Sequence, residues 1–409
     1  MPDIDFLNTL GDAMGDVYAA CHDRLLVNLA RHLMYLQPGE SPGGAFEYQA
    51  RKLQEFGQIN RESIEIIRAT LKGVDAALAD NLESVILDAL EDVEPALRRA
   101  FEAGELPEGP GEVDPRTSGA FVEYYRQASD ALNLVNTRML QSTGEAYQAT
   151  VADIVNRMQR DQAIINAAVG KTLTGVESFN SALKQATAQM VANGITGHVD
   201  RGYVDKDGIA HAGAHWRPET YVAMVMRTTY HNVSRRAFFD RNEEYGNDLY
   251  LVSQHPGARP LCYPWQCKVI SRDDNARDVP DGAGGTVHVY AQSETTYGEP
   301  AGLFGINCGH HPMLFIPGAT KVPELRQDEA ENARQYAESQ NQRALEREFR
   351  KARLDYNVAK AQGADKPALD RLRGKVKDAD ARLDRFTRDT GRKRRREREY
   401  APVDAKWPK

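Results

Sequence analysis

The chain has 409 residues, 41% of them hydrophobic and 27% charged, with a formal net charge of −7, a balance that suits a globular protein of two to three units at about 150 residues each. No run of about 18 apolar residues occurs, which excludes an ordinary transmembrane helix and predicts no membrane partner. The opening Met1–Leu10 is acidic where a secretory signal is basic, and four cysteines, with Cys21 far from the rest, are too few for a disulfide scaffold and suit a reducing cytoplasm.

In chain order, residues 3–37 place Phe6, Leu10, Met14, Val17, Cys21 and Leu25 three and four apart, which predicts an amphipathic helix ended by Gln37–Gly44. A second helix carries Phe46, Leu53, Phe56, Ile64, Ile67 and Leu71. A third carries Val74, Leu78, Leu82, Val85, Leu90 and Leu97, with a kink expected at Pro95. These fill an N-terminal unit, residues 1–104. Residues 105–119, rich in proline and glycine, read as a linker, and long helices resume over 120–193, with Val151, Ile154, Met158, Ile165, Val169 and Leu173 as a stripe.

At Gly194 the texture changes. Val199–Val204 and the Lys206-Asp207-Gly208 turn predict a short hairpin. Arg217-Pro218-Glu219 opens a helix running to about Tyr245-Gly246. Asp248–Ser253, Val287–Tyr290 and Leu314–Ile316 read as strands, so residues 194–318 form an α+β unit. Over 319–391 the apolar positions Leu345, Phe349, Ala352, Tyr356 and Ala359, then Leu369, Leu372, Val376, Ala379, Leu383 and Phe386, alternate by three and four. With Asp365 as a start and Gly391 as a stop, this predicts an antiparallel helical hairpin with coiled-coil spacing. The fold class is α+β: a mainly helical first half, an α+β middle with short strands, and a helical hairpin.

Charge is divided along the chain. From Lys321 onward there are 25 Lys and Arg against 17 Asp and Glu, which leaves 27 against 42 in residues 1–320. The tail, residues 392–409, begins with Arg392, Lys393, Arg394, Arg395, Arg396 and Arg398. Such a cluster is either a solvated end or a sequence-independent contact to DNA phosphates.

The chemistry-bearing residues concentrate in Ser253–Pro317, which holds Cys262, Cys267, Cys308, His255, His288, His310, His311 and Trp265 amid many prolines and glycines. Thiolate and imidazole suit zinc, and His255, Cys262, Cys308 and His310 or His311 converge on one ion if the two turn-rich loops meet. Two other readings stay open: a Cys262–Cys308 or Cys262–Cys267 disulfide, and buried thiols with hydrogen-bonded histidines locking a loop-rich core. Cys308 beside His310 and His311 is also a conceivable thiolate–base pair, though neighbours on one turn seldom reach that geometry. Arg259 reads as a guanidinium held between two turns by carbonyls or a carboxylate, and Trp265 as core. No Walker-type glycine loop and no dinucleotide fingerprint occurs.

The same block carries a resemblance. His255-Pro-Gly-Ala-Arg-Pro260, Pro264-Trp-Gln-Cys-Lys-Val269, Tyr297-Gly-Glu299, Gly305-Ile-Asn-Cys-Gly-His-His311 and Phe315-Ile-Pro-Gly318 are similar to the phage minor capsid protein 2 family, itself related more loosely to Mu F-type head morphogenesis proteins. Gly194–His198, Met226–Thr228 and Asn341–Arg350 extend the likeness to roughly residues 151–387. Arg259, Trp265, Gln266 and Asn307 are then structural motif residues. The resemblance implies a structural minor capsid protein of a tailed phage or prophage, inside the head or near the portal, with the portal and other capsid proteins as partners and the host cytoplasm as the place of assembly.

One departure is that Cys267 stands where the family tends to have glycine; a positive φ there would strain it. Mu F-type domains are similar in outline to ADP-ribosyltransferases, which makes Arg227-Thr228, Ser253 and Glu299 the residues of a rival, enzymatic reading. A degenerate fold without the chemistry is the expectation. A DNA-binding packaging accessory is the third reading.

Overall fold

The computed structural model describes residues 4–34, 44–167, 175–199, 203–204, 210–211, 215–306, 308–361 and 364–394. The helical half comprises α1 (Ile4–Met34), α2 (Ala45–Thr70), α3 (Val74–Glu91), α4 (Val93–Glu102), α5 (Gly119–Ala167) and α6 (Gly175–Asn193). The interruption expected at Pro95 falls instead at Asp92, between α3 and α4. Pro95 then lies in the first turn of α4, where its missing N–H leaves no helical carbonyl unpaired.

On α2 the sequence pattern and the burial diverge. Phe46, Leu53 and Ile64 are 75%, 49% and 38% exposed, whereas Tyr48, Lys52, Ile59 and Ser63 are the buried positions. Lys52 tolerates full burial because its Nζ donates to the His32 carbonyl at 2.6 Å and pairs with Glu55 at 3.0 Å.

Four two-residue strands follow: β1 (His198–Val199), β2 (Tyr203–Val204), β3 (Ala210–His211) and β4 (His215–Trp216). β1 pairs with β4 and β2 with β3, both antiparallel, so the expected hairpin is longer than its first arm suggested. Its Lys206–Gly208 turn lies outside the described residues.

Helix α7 (Pro218–Glu244) begins with Pro218 in its first turn, as the Arg-Pro-Glu signal predicts. Its first part completes the helical core: Val222, Met226, Tyr230 and Val233 pack with Met14, Tyr18 and Leu25 of α1, Leu78 and Leu82 of α3, and Val135 and Met139 of α5. Gly11 and Gly15 permit the close crossing of α1 over α7. A Cβ on Gly15 would lie 2.6 Å from Ala223 Cβ, and one on Gly11 would lie 2.8 Å from the Arg227 backbone nitrogen.

The last part of α7 belongs to a second core. Phe238 and Phe239 meet Val93 and Leu97 of α4 and one face of a five-stranded sheet. The sheet is built of β5 (Leu249–Val252), β6 (Val269–Ser271), β7 (Arg277–Pro280), β8 (Thr286–Ala291) and β9 (Pro312–Leu314), in the order β7-β8-β6-β5-β9. Only β6 and β8 run parallel. Strand β5 is buried on both faces: Tyr250 and Val252 point to the α7 side, Leu249 and Leu251 to a small cluster with Val269, Val289 and Phe315. β6 and β7 are absent from the sequence reading, and β9 begins and ends two residues before the expected Leu314–Ile316.

Helices α8 (Glu329–Ala361) and α9 (Lys366–Thr390) form the hairpin. The Asp365 carboxylate caps α9 by accepting from Ala368 N–H at 2.8 Å, and Gly391 ends it at φ 69°. The pairs Tyr356–Arg373 and Glu348–Arg382, and the bond from Gln342 to the Lys393 carbonyl, make the two arms antiparallel. Phe349, Ala379 and Leu383 are buried along the seam. The chain is α+β, dominated by helix.

Candidate functional site

Two turn-rich loops, one leaving β5 and one entering β9, meet over the end of α7. Their backbones are joined at Ser253, whose N–H donates to the His311 carbonyl at 3.1 Å while its Oγ accepts from His311 N–H at 2.9 Å. Arg259 bridges the loops, donating to the carbonyls of Ile306 at 2.9 Å and Gly302 at 3.1 Å. Gln266 is buried and its side-chain oxygen accepts from His255 N–H at 2.7 Å. Trp265 is half-buried, edge-on to Tyr290 at 5.8 Å. Asn307 lies outside the described residues.

This scaffold brings three sequence-nominated donors together. Cys262, Cys308 and His310 are buried, and their ligand atoms all lie within 4.8 Å of one another. The two sulfurs are 3.9 Å apart, and Cys308 Sγ is 3.4 Å from His310 Nδ1. The His255 ring packs at 4.2 Å against that of His310, tilted by 41°. Its Nδ1 lies 3.1 Å from the Pro256 carbonyl, and Nε2 of both rings is buried without a hydrogen-bond partner. His311 is joined to Ser253 through its backbone and is not among the three.

All four cysteines are free thiols. Cys21 is buried in the helical core, where burial pushes its thiol up to about 12. Cys267 is outside the cluster.

The electrostatics favour one thiolate. The hydrogen bond from Cys262 holds Cys308 well below the usual thiol range, against burial, with His310 adding to the effect; Cys262 is correspondingly raised. Burial lowers His255 and His311, each to about 4, so both are neutral at pH 7.

Sequence reading passed over what lies beneath the loops. His231 and Arg235 of α7 are buried, with His231 lowered to about 3 by burial and then by Arg235. The Arg235 guanidinium sits 5.1 Å from the Phe304 ring centre and donates to Asn232, while its Nη1 is buried without a partner. The available signal was a charged pair, Arg235-Arg236, set between Val233-Ser234 and Ala237-Phe238 within a helix.

Of the residues of the rival enzymatic reading, two are paired elsewhere and two share a groove. Arg227 pairs with Asp12 of α1 at 3.3 Å, Ser253 is engaged with His311, and Glu299 lines a groove with Thr228, Asn232 and Arg236. Of the basic cluster, Arg392 donates to Gln342 at 2.8 Å, and the Lys393 carbonyl accepts from the same Gln342. Arg394 lies on the hairpin against Asp380, Asp384 and the Phe349 ring. Arg395, Arg396 and Arg398 are outside the described residues.

Comparison with known proteins extends the likeness beyond the loops. The profile of a family described as phage minor capsid protein 2 matches residues 5–388, so it takes in the N-terminal helices, where the resemblance read from the sequence is weak. A curated protein of Lactococcus phage LL-H, described as "Structural protein", is 25% identical over 307 residues, 75% of each chain. No solved structure matches.

Proposed function

The chain belongs to the phage minor capsid protein 2 family, and from that premise we propose that it is a minor structural component of a tailed-phage or prophage head. In this reading it is assembled in the host cytoplasm, enters the particle in few copies inside the capsid or beside the portal, and assists head morphogenesis through contacts with the portal and other capsid proteins. The carrying observation is the family match over nearly the whole chain, supported by a relative described as structural. It acts without a catalytic centre of its own. The engagement of Arg227 with Asp12 and of Ser253 with His311 favours this over the enzymatic rival.

The test is quantitative mass spectrometry of density-purified particles of the encoding phage or induced prophage. The chain is expected in DNA-filled heads at a small fraction of the major capsid protein, and protected from protease until the heads are opened. Its absence from purified heads would remove the proposal.

A further inference from the structure

Three buried donors outside any catalytic scheme, Cys262, Cys308 and His310, hold their ligand atoms within 4.8 Å of one another. With Zn–S of about 2.3 Å and Zn–N of about 2.0 Å, two thiolates on one zinc lie about 3.8 Å apart and a thiolate and an imidazole nitrogen about 3.5 Å apart. The observed separations are 3.9 Å for Cys262 and Cys308 and 3.4 Å for Cys308 and His310 Nδ1. Sulfurs in ordinary contact are under no obligation to match these edges in two pairs at once.

The second observation is His255. Its Nδ1–H donates to the Pro256 carbonyl at 3.1 Å, which leaves the lone pair on Nε2, and that atom is buried with no partner. A metal-bound histidine characteristically shows this arrangement, with its other ring nitrogen donating to a backbone carbonyl. His255 Nε2 also lies close to the turn that carries the other two donors. A Cβ on Gly309, between Cys308 and His310, would come within 2.9 Å of it.

We propose that Cys262, Cys308, His310 and His255 bind one structural zinc ion that staples the two loops together. Two sulfurs and two imidazoles form a soft, closed donor set that suits zinc over magnesium or calcium, which take oxygen ligands. All four ligands come from protein, so the ion is structural, and its binding is coupled to the folding of loops with little regular structure. This inference is independent of the capsid reading, since it concerns only these loops.

The experiment begins with full-length protein purified without chelator or reductant. Elemental analysis is expected to find about one zinc per chain, to find it lost in Cys308→Ser and in His310→Ala, and to find it kept in Cys267→Ser. Wild-type protein reconstituted with cobalt is expected to show thiolate-to-cobalt charge transfer with tetrahedral ligand-field bands, a readout that does not depend on any variant folding. His255→Ala removes one of the four ligands and should release the metal to a competing chelator at least about tenfold more readily, since loss of even a partner behind a ligand costs about 10–100-fold in affinity. Wild-type protein that retains under a tenth of an equivalent after zinc incubation and gel filtration overturns the site, as does a Cys262–Cys308 disulfide in its place. Unchanged chelator competition in His255→Ala overturns the fourth ligand.

Discussion

Cys267 shows how far a single position can be read. Its φ is 58°, in the left-handed region, with its N–H donating to Val252 at 3.0 Å and its side chain 9% exposed. The sequence raised this strain because related chains tend to place glycine there. A left-handed non-glycine residue costs about 1–2 kcal/mol, while losing a buried thiol costs about 1 kcal/mol. Cys267→Gly is therefore expected to unfold within about 1 kcal/mol of wild type, whereas the β-branched Cys267→Val should lose about 2 kcal/mol or more. Denaturant unfolding of the two variants measures the gap; equal midpoints would show that the turn does not impose the conformation. Arg259 was legible in the same way, because a lone guanidinium in a proline- and glycine-rich turn has carbonyls as its natural partners.

At the scale of elements, glycine marks a contact that periodicity does not show. Gly11 and Gly15 stand four apart on α1, and both sit against α7. Alanine is the better helix former by about 1 kcal/mol, but Gly15→Ala would push its methyl into Ala223 and the Glu219 carbonyl, and overpacking costs about 1–3 kcal/mol. The expected result is a lower melting temperature. Gly374→Ala on α9 should raise it, because a Cβ there meets nothing within 4 Å. The opposed signs are the check: if both substitutions stabilise, the α1–α7 crossing is not tightly packed. The missed strands have a different cause. β6 has only three residues, and β7 reads Arg-Asp-Val-Pro, with polar residues and a proline that only a sheet edge accommodates.

At the scale of the whole molecule, α7 couples the helical core to the sheet. Tyr230 accepts from Asn81 of α3 at 3.0 Å, and Arg241 is gripped by Glu94 of α4 at 2.5 Å and by Glu244 at 2.6 Å. The same helix buries Val222 and Met226 in one core and Phe238 and Phe239 in the other. Opening either core therefore exposes apolar surface on the helix shared by both. Native-state hydrogen exchange is expected to give Tyr18 on α1, Tyr230 on α7 and Leu251 on β5 the same opening free energy. A value for Leu251 lower by more than about 2 kcal/mol would show that the sheet opens alone.

The sequence by itself determined the helices, their caps at Asp365 and Gly391, the strand-like run at β5 and the loops that hold the thiols and imidazoles. Each of these is written in neighbouring residues, as apolar spacing, a capping side chain or an obligatory turn residue. Tertiary structure decided that α2 turns Phe46, Leu53 and Ile64 outward, that β6 pairs parallel with β8, and that α7 serves two cores. It also decided that Cys262 and Cys308, 46 residues apart, lie side by side while the His311 backbone is bonded to Ser253. Those outcomes rest on contacts between segments distant in the chain, where the free energy of packing, and not the local pattern, selects the partner.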